Sequence, residues 1–181
     1  GASTSDLLEV VRQEHITICK ELFEDKAHKV IDDLNNTLVE VEWALDDPDG
    51  LDKRFQYDQI VSIGEMLSTK IVAAYLTSQG IKNKWIDARD LIRTDNTYQD
   101  AIVDWNETCK MITDVIGKAI QHASIVVTQG FIGGTSENFT TTLGREGSDF
   151  TAAILAHCLK AESVTIWKDV PGVLNADPKY F

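Results

Sequence analysis

Val126-Val-Thr-Gln-Gly-Phe-Ile-Gly-Gly-Thr-Ser-Glu-Asn-Phe-Thr-Thr-Thr-Leu-Gly-Arg-Glu-Gly-Ser-Asp149 is the stretch whose reading decides the fold. It predicts a buried strand over 124–128, then a glycine-punctuated loop with a hairpin-like excursion and a threonine run at Thr140, Thr141 and Thr142. After Gly144-Arg-Glu-Gly-Ser-Asp149, residues 150–160 place Phe150, Ile154, Leu155, Cys158 and Leu159 on one helical face. Ser148 or Asp149 is suited to cap that helix. A glycine loop ending at a helix N-terminus offers free backbone N–H groups and the positive end of the helix dipole, which suits an anion. Arg145 adds a planar fork for a carboxylate or a phosphate. Taken alone, the pattern describes an anion-binding strand–loop–helix or a plain surface loop.

Working outward, residues 58–79 carry Ile60, Val61, Met66, Leu67, Ile71, Val72 and Tyr75 at helical spacing, with Gly80 just past the end. Residues 82–87 read as a strand, 99–121 mostly as a long helix, and 163–167 as the last buried strand. Nearer the start, Ser3 to Ser5 form a cap or turn before a helix running from about Asp6 to Phe23. A second helix from about Lys26 to Trp43 is broken by Asp46-Asp47-Pro48-Asp49-Gly50. Alternating strands and helices predict an α/β layered sandwich with a mainly parallel sheet. Ligands in such sheets sit beyond the carboxyl ends of the strands, here the loops after Thr128 and Trp167.

The 181 residues suffice for one domain with a sizeable core, and 43% hydrophobic with 25% charged residues is an ordinary soluble composition. A net charge of −12 argues against nucleic-acid and acidic-membrane partners, because such a surface repels phosphates at long range. An anionic substrate must then meet locally concentrated cations or a metal ion. No apolar run approaches a membrane span and no signal peptide opens the chain. Cys19, Cys109 and Cys158 lack metal or redox spacing and fall on apolar helical faces, so they are expected as buried reduced thiols in a cytoplasmic protein. His15, His28, His122 and His157 show no ligand spacing either.

Several motifs in order carry a resemblance. They are Ser62-Ile-Gly-Glu-Met-Leu-Ser68, Trp85-Ile-Asp-Ala-Arg89, Ile92-Arg-Thr-Asp95, Gly130-Phe-Ile-Gly133, Thr140-Thr-Thr-Leu-Gly-Arg-Glu-Gly-Ser-Asp149, Ile166-Trp-Lys-Asp-Val-Pro-Gly-Val173 and Asp177-Pro178. Together they resemble the aspartokinases, of the monofunctional lysine-sensitive type, within the amino-acid kinase family. The resemblance covers nearly the whole chain. It implies a three-layer α/β/α sandwich with a mainly parallel central sheet. It implies transfer of the ATP γ-phosphoryl to the β-carboxylate of L-aspartate, with Mg²⁺, at the start of lysine, threonine and methionine synthesis. Such transfer needs two anions held in line and their charge neutralised. The full-length protein is expected as a cytoplasmic homodimer.

The resemblance also assigns roles. Glu65 falls where the family holds the substrate α-amino group, whereas its spacing from Ser62 alone reads as a capping box. Arg145 would grip an aspartate carboxylate, although an arginine there is also readily a solvated surface residue. Asp149 would orient catalytic lysines, or serve simply as a first-turn acid favoured by the helix dipole. Gly147 and Ser148 would bring backbone close to substrate, with Glu146 beside them, and Ser5 matches a substrate-contacting hydroxyl on weaker flanks. Lys168, Asp169, Leu174 and Lys179 would edge the nucleotide.

Four positions depart from the family pattern: Glu146 where glycine is common, Lys168 for threonine, Leu174 for tyrosine and Lys179 for arginine. Gly133-Gly-Thr-Ser136 imitates the family's opening phosphate motif without its lysine and reads as a turn. By the same comparison, residues 1–181 are a partial kinase domain, without the first strand, a later lysine and the ACT regulatory modules. An incompetent binding module and the kinase part of a bifunctional aspartokinase–homoserine dehydrogenase are the competing expectations. Arg145 and Glu65 are expected in one cleft near Gly147 and Ser148, since an α-amino acid needs an anion and a cation placed together.

Overall fold

The computed structural model describes residues 3–24, 27–46 and 52–169. Three long helices come first: α1 (Thr4–Phe23), α2 (Ala27–Asp46) and α3 (Lys53–Ser78). The Ser3 hydroxyl accepts from the Asp6 amide while the Asp6 carboxylate accepts from the Ser3 amide, so two of the orphan donors at the start of α1 are satisfied reciprocally. At the far end of α3, Gly80 takes a positive φ of 77° just past the C-cap Gln79. Cys19 and Phe23, Leu34, Leu38 and Val41, and Ile63, Leu67 and Ile71 meet as one buried cluster between the three helices. By length and composition α3 could cross a membrane, against the expectation that no apolar run would. Here it packs on α1, on α2 and on the strands.

β1 (Asn83–Trp85) and β2 (Ile125–Val127) pair in parallel, Asn83 opposite Ile125 and Trp85 opposite Val127. Between them run a short 3-10 turn (Ala88–Asp90) and α4 (Trp105–Ala119), a crossover long enough for parallel pairing. Trp85 reaches α3, its indole N–H donating to Thr69, while the next residue, Ile86, packs with Ile112 and Ile116 of α4. Neighbouring side chains of an extended chain point to opposite faces. The first three helices and α4 therefore lie on opposite sides of the strands, which is the α/β layering expected. β3 (Ile132–Gly134) and β4 (Thr140–Thr142) form an antiparallel hairpin, and α5 (Gly147–Leu159) packs on α4.

Several expectations are corrected. Gly133 and Gly134 lie in β3 rather than in a turn, and the turn falls after them, where the Asn138 amide donates to the Thr135 carbonyl. Gly133 packs against Ile92 and Thr94, and Gly134 against the Arg89 backbone, so the small residues are there for close approach. The helix expected over 99–121 is confined to α4, because residues 101–104 are drawn into a bridge and hydrogen bonds with residues 93–95 and with Thr142 of β4. β2 is half exposed rather than buried, since one neighbouring strand leaves its other edge open among the described residues. Residues 163–167 form no strand; they are exposed and make no ladder with β1 or β2. Apolar alternation there supplied the pattern of a strand but no neighbour to pair with.

Cys109 and Cys158 are not separate thiols. α4 and α5 bring their Cα atoms to 4.8 Å and they form a disulfide across the two helices, while Cys19 stays buried and free. The loop expected at 46–50 lies mostly outside the described residues, as do Leu174, Lys179 and the segment from Val170 onward.

Candidate functional site

The stretch from β2 to α5 is held by a buried side chain that the sequence pattern does not advertise. Gln129 is fully buried; its Oε1 accepts from the Ala88 amide at 2.7 Å and its Nε2 donates to the Thr69 hydroxyl at 2.8 Å. The Thr69 hydroxyl in turn donates to the Glu65 carbonyl at 2.7 Å. One residue after β2 is thereby pinned both to the 3-10 turn and to the turn of α3 that carries Glu65. A buried amide is tolerable only when its polar atoms are paired, and these are. Thr128 Oγ1, beside it at the carboxyl end of β2, is buried with no partner among the described residues.

Next along the chain, backbone meets backbone. A Cβ on Gly130 would stand 2.8 Å from the Ser148 hydroxyl, and one on Gly147 would stand 2.6 Å from the Phe131 ring. Only glycine allows the loop after β2 to lie against the opening of α5. The Phe131 amide donates to the Thr151 hydroxyl at 3.0 Å and its carbonyl accepts from Leu143, which locks the loop to both the hairpin and the helix. The first turn of α5 thus presents Gly147 buried, Ser148 exposed and Asp149 half-buried.

Neither Ser148 nor Asp149 is the cap that was expected. Glu146 holds the N-cap position with a left-handed φ of 55° and no side-chain cap bond, so the first amides of α5 take no capping bond from it. Its carboxylate turns instead toward Lys168, which approaches Glu146 at 3.6 Å and Asp149 at 2.9 Å. The Asp149 hydrogen bond, ahead of the charges of Asp149 and Glu146, raises the Lys168 ammonium above its ordinary value. Two sites expected in separate roles, the α5 start and the 168–169 edge, are therefore one cluster. Asp169 is exposed beside it.

Glu65 stands in the middle of α3, not at a helix start, so the capping-box reading fails. Burial pushes its carboxyl above the ordinary carboxylate range. No cation or side-chain donor reaches it among the described residues. Arg145 is exposed and likewise has no anion within reach there. No hydrogen bond joins Glu65 to Arg145; the connection runs through Thr69, Gln129, Gly130 and Ser148. Ser5 is exposed in the first turn of α1 and makes no contact with this group among the described residues. A groove of about 600 Å³ along β1 and the end of α4, lined by Trp85, Val115, Lys118 and His122, shares no residue with the site.

A raised carboxyl value fixes the sign of a stability effect. The neutral form of Glu65 is favoured by the fold, so its contribution is full below the ordinary value of 4.5 and is lost as pH rises through the raised one. Glu65→Gln is therefore expected to raise Tm at pH 7 by about 1–2 °C, and to leave it unchanged near pH 4. Thermal melts of the two proteins at both pH values check this, and a lower Tm at pH 7 would contradict it.

An α/β chain whose glycine loop runs from the end of a parallel strand to a helix start is the arrangement that carries the candidate site. Residues 6–181 match the amino acid kinase family, and the chain belongs to that family. It is 38% identical over 122 residues to lysine-sensitive aspartokinase 3 of Escherichia coli, covering 67% of this chain and 27% of that protein. It is 34% identical over 175 residues to an aspartokinase of Chlamydia trachomatis, covering 96% of this chain and 38% of that one. The crystal structure of Escherichia coli aspartokinase III in complex with aspartate and ADP superposes with a TM-score of 0.86 at 28% identity, over 99% of this chain and 40% of that one. The chain thus spans well under half the length of these relatives.

Proposed function

We propose that the protein is an aspartate kinase of the lysine-sensitive type, with residues 1–181 contributing part of its catalytic domain. The observation that carries this reading is the pair of uncompensated charges around the loop after β2. Glu65 is a desolvated carboxylate without a cation, and Arg145 is a guanidinium without an anion, among the described residues. An α-amino acid brings an ammonium for the first and a carboxylate for the second. The relatives named aspartokinase, one of them solved with aspartate and ADP, support the same substrate pair.

In this reading an oxygen of the aspartate β-carboxylate attacks the γ-phosphorus of ATP, the bond to the β-phosphate oxygen breaks, and ADP leaves with 4-phospho-L-aspartate as the product. Glu65 takes the α-amino group, and Arg145 takes a carboxylate in two-pronged fashion. The Gly147 and Ser148 backbone lies against the substrate, with Asp149 arranging positive charge around the transferred group. Lys168 and Asp169 border the nucleotide, with Leu174 and Lys179 assigned there by the family pattern alone. Ser5 and Glu146 complete the substrate list. Mg²⁺ would come bound to the ATP phosphates and would offset their charge; no cluster of three or more His, Cys, Asp or Glu residues suited to a metal occurs among the described residues.

A homodimer and a cytoplasmic location belong to the same reading. The second no longer draws support from reduced thiols, because two of the three cysteines are bridged. The test is a coupled assay of ADP release on the intact protein, with L-aspartate as the varied substrate. Aspartate-dependent turnover is the expected result, and turnover indifferent to aspartate sinks the proposal. In the same assay Arg145→Lys is expected to raise the aspartate KM about tenfold or more, because a point charge replaces the fork, while the ATP KM stays within about twofold.

A further inference from the structure

Lys168 ties the segment that follows α5 back to the beginning of that helix. Beyond Ala161, whose amide still bonds to the Ala156 carbonyl, residues 162–169 are exposed and belong to no strand. The ion pairs of Lys168 are what fasten this segment, at 2.9 Å to Asp149 and 3.6 Å to Glu146. The two carboxylates sit three positions apart, on the cap and in the first turn of α5. Left to themselves they repel each other, and the ammonium between them removes that repulsion. Together the three groups carry one net negative charge.

Glutamate at 146 and lysine at 168 carry opposite charges, and the fold places them on each other at 3.6 Å. Glu146 carries its side chain in a left-handed backbone conformation that glycine adopts more readily. At this degree of exposure the ion pairs add little to stability, so their effect must be sought in placement and local charge.

We infer that Lys168 and Glu146 are a matched pair of positioning residues for Asp149. Lys168 bridges the two carboxylates and cancels the repulsion that would otherwise drive the Asp149 side chain away from Glu146. Glu146 shares the ammonium, so that the charge of Asp149 is not cancelled. This inference rests on the reading of Asp149 as an active-site carboxylate.

The test is a charge cycle on the intact protein, comparing wild type, Lys168→Met, Glu146→Gln and the double variant. Lys168→Met leaves two adjacent carboxylates unneutralised, and kcat is expected to fall about tenfold. The double variant restores one net negative charge, and kcat is expected to rise about fivefold above that of Lys168→Met, any nucleotide contact of Lys168 being lost equally in both. A Lys168→Met enzyme as active as wild type overturns the inference, and so does a double variant no better than Lys168→Met. Nitrogen-15 NMR of the lysine ammonium groups gives a readout independent of turnover. The Lys168 resonance is expected to shift in Glu146→Gln, and an unmoved resonance overturns the pairing. If the wild type transfers no phosphoryl group to aspartate, the functional reading falls, and the NMR experiment alone decides whether the pair exists.

Discussion

Asp149→Asn in the intact protein is expected to lower kcat by about 10²–10³ while nucleotide affinity changes little, a loss of roughly 3–4 kcal/mol of transition-state stabilisation. The substitution preserves the shape of the side chain and removes its charge. Its neighbourhood is charged: Asp149 is a half-buried carboxylate in the first turn of α5, with a lysine ammonium 2.9 Å away. A group that gathers cations around a transferring phosphoryl matters most when negative charge spreads over the equatorial oxygens, and far less when the nucleotide merely binds. Steady-state kinetics with both substrates varied checks this. An unchanged kcat would leave Asp149 as a first-turn acid that complements the helix dipole and nothing more.

The second large effect concerns stability. Asp58→Ala is expected to destabilise the fold by about 3–5 kcal/mol, read as a lower urea midpoint at an unchanged m value. Asp58 is fully buried near the beginning of α3. One oxygen accepts from the Gln99 and Thr142 amides, each at 2.9 Å, and the other from the Thr142 hydroxyl at 2.8 Å. Gln59, the next residue, holds the Thr140 backbone on both its donor and its acceptor side. Truncation to alanine strands three donors at once. It also loosens β4, which leads directly to Arg145. A loss below about 1 kcal/mol would mean that water replaces the carboxylate without penalty.

Asp58 also shows where reading a sequence stops. Apolar spacing announces α3 because it needs only local repetition, and glycine at 80 announces its end. The same spacing is blind to a polar residue on the buried face. Asp58 and Gln129 look like solvent-facing residues until Thr142 and Thr69, 84 and 60 residues away, are folded onto them. The glycines at 130 and 147 were legible as loop residues, but that they face Ser148 and Phe131 follows only from the fold. Residues 163–167 failed in the opposite sense, since a strand pattern is a statement about one chain and a strand is a property of two. For the candidate site, motif resemblance singles out Glu65, Arg145 and Asp149 as candidates, while the pairing of Lys168 with Glu146 and Asp149 depends on a chain reversal that no spacing rule encodes.

The bridge between Cys109 and Cys158 makes a closed ring of the chain between them, with a sequence separation of 49. Threaded on that ring are β2, the glycine loop, the hairpin and nearly all of α5, so every residue from Thr128 to Asp149 is inside it. A protease that cuts the exposed Ser136–Glu137 bond would open the ring without dividing the molecule, and the two arms would part only on reduction. The unfolded polymer is likewise never a free line: closure of a ring this size removes chain entropy worth about 4 kcal/mol at 25 °C. The loops of the candidate site are thus recovered from unfolding as a tethered loop rather than gathered from the whole length of the chain.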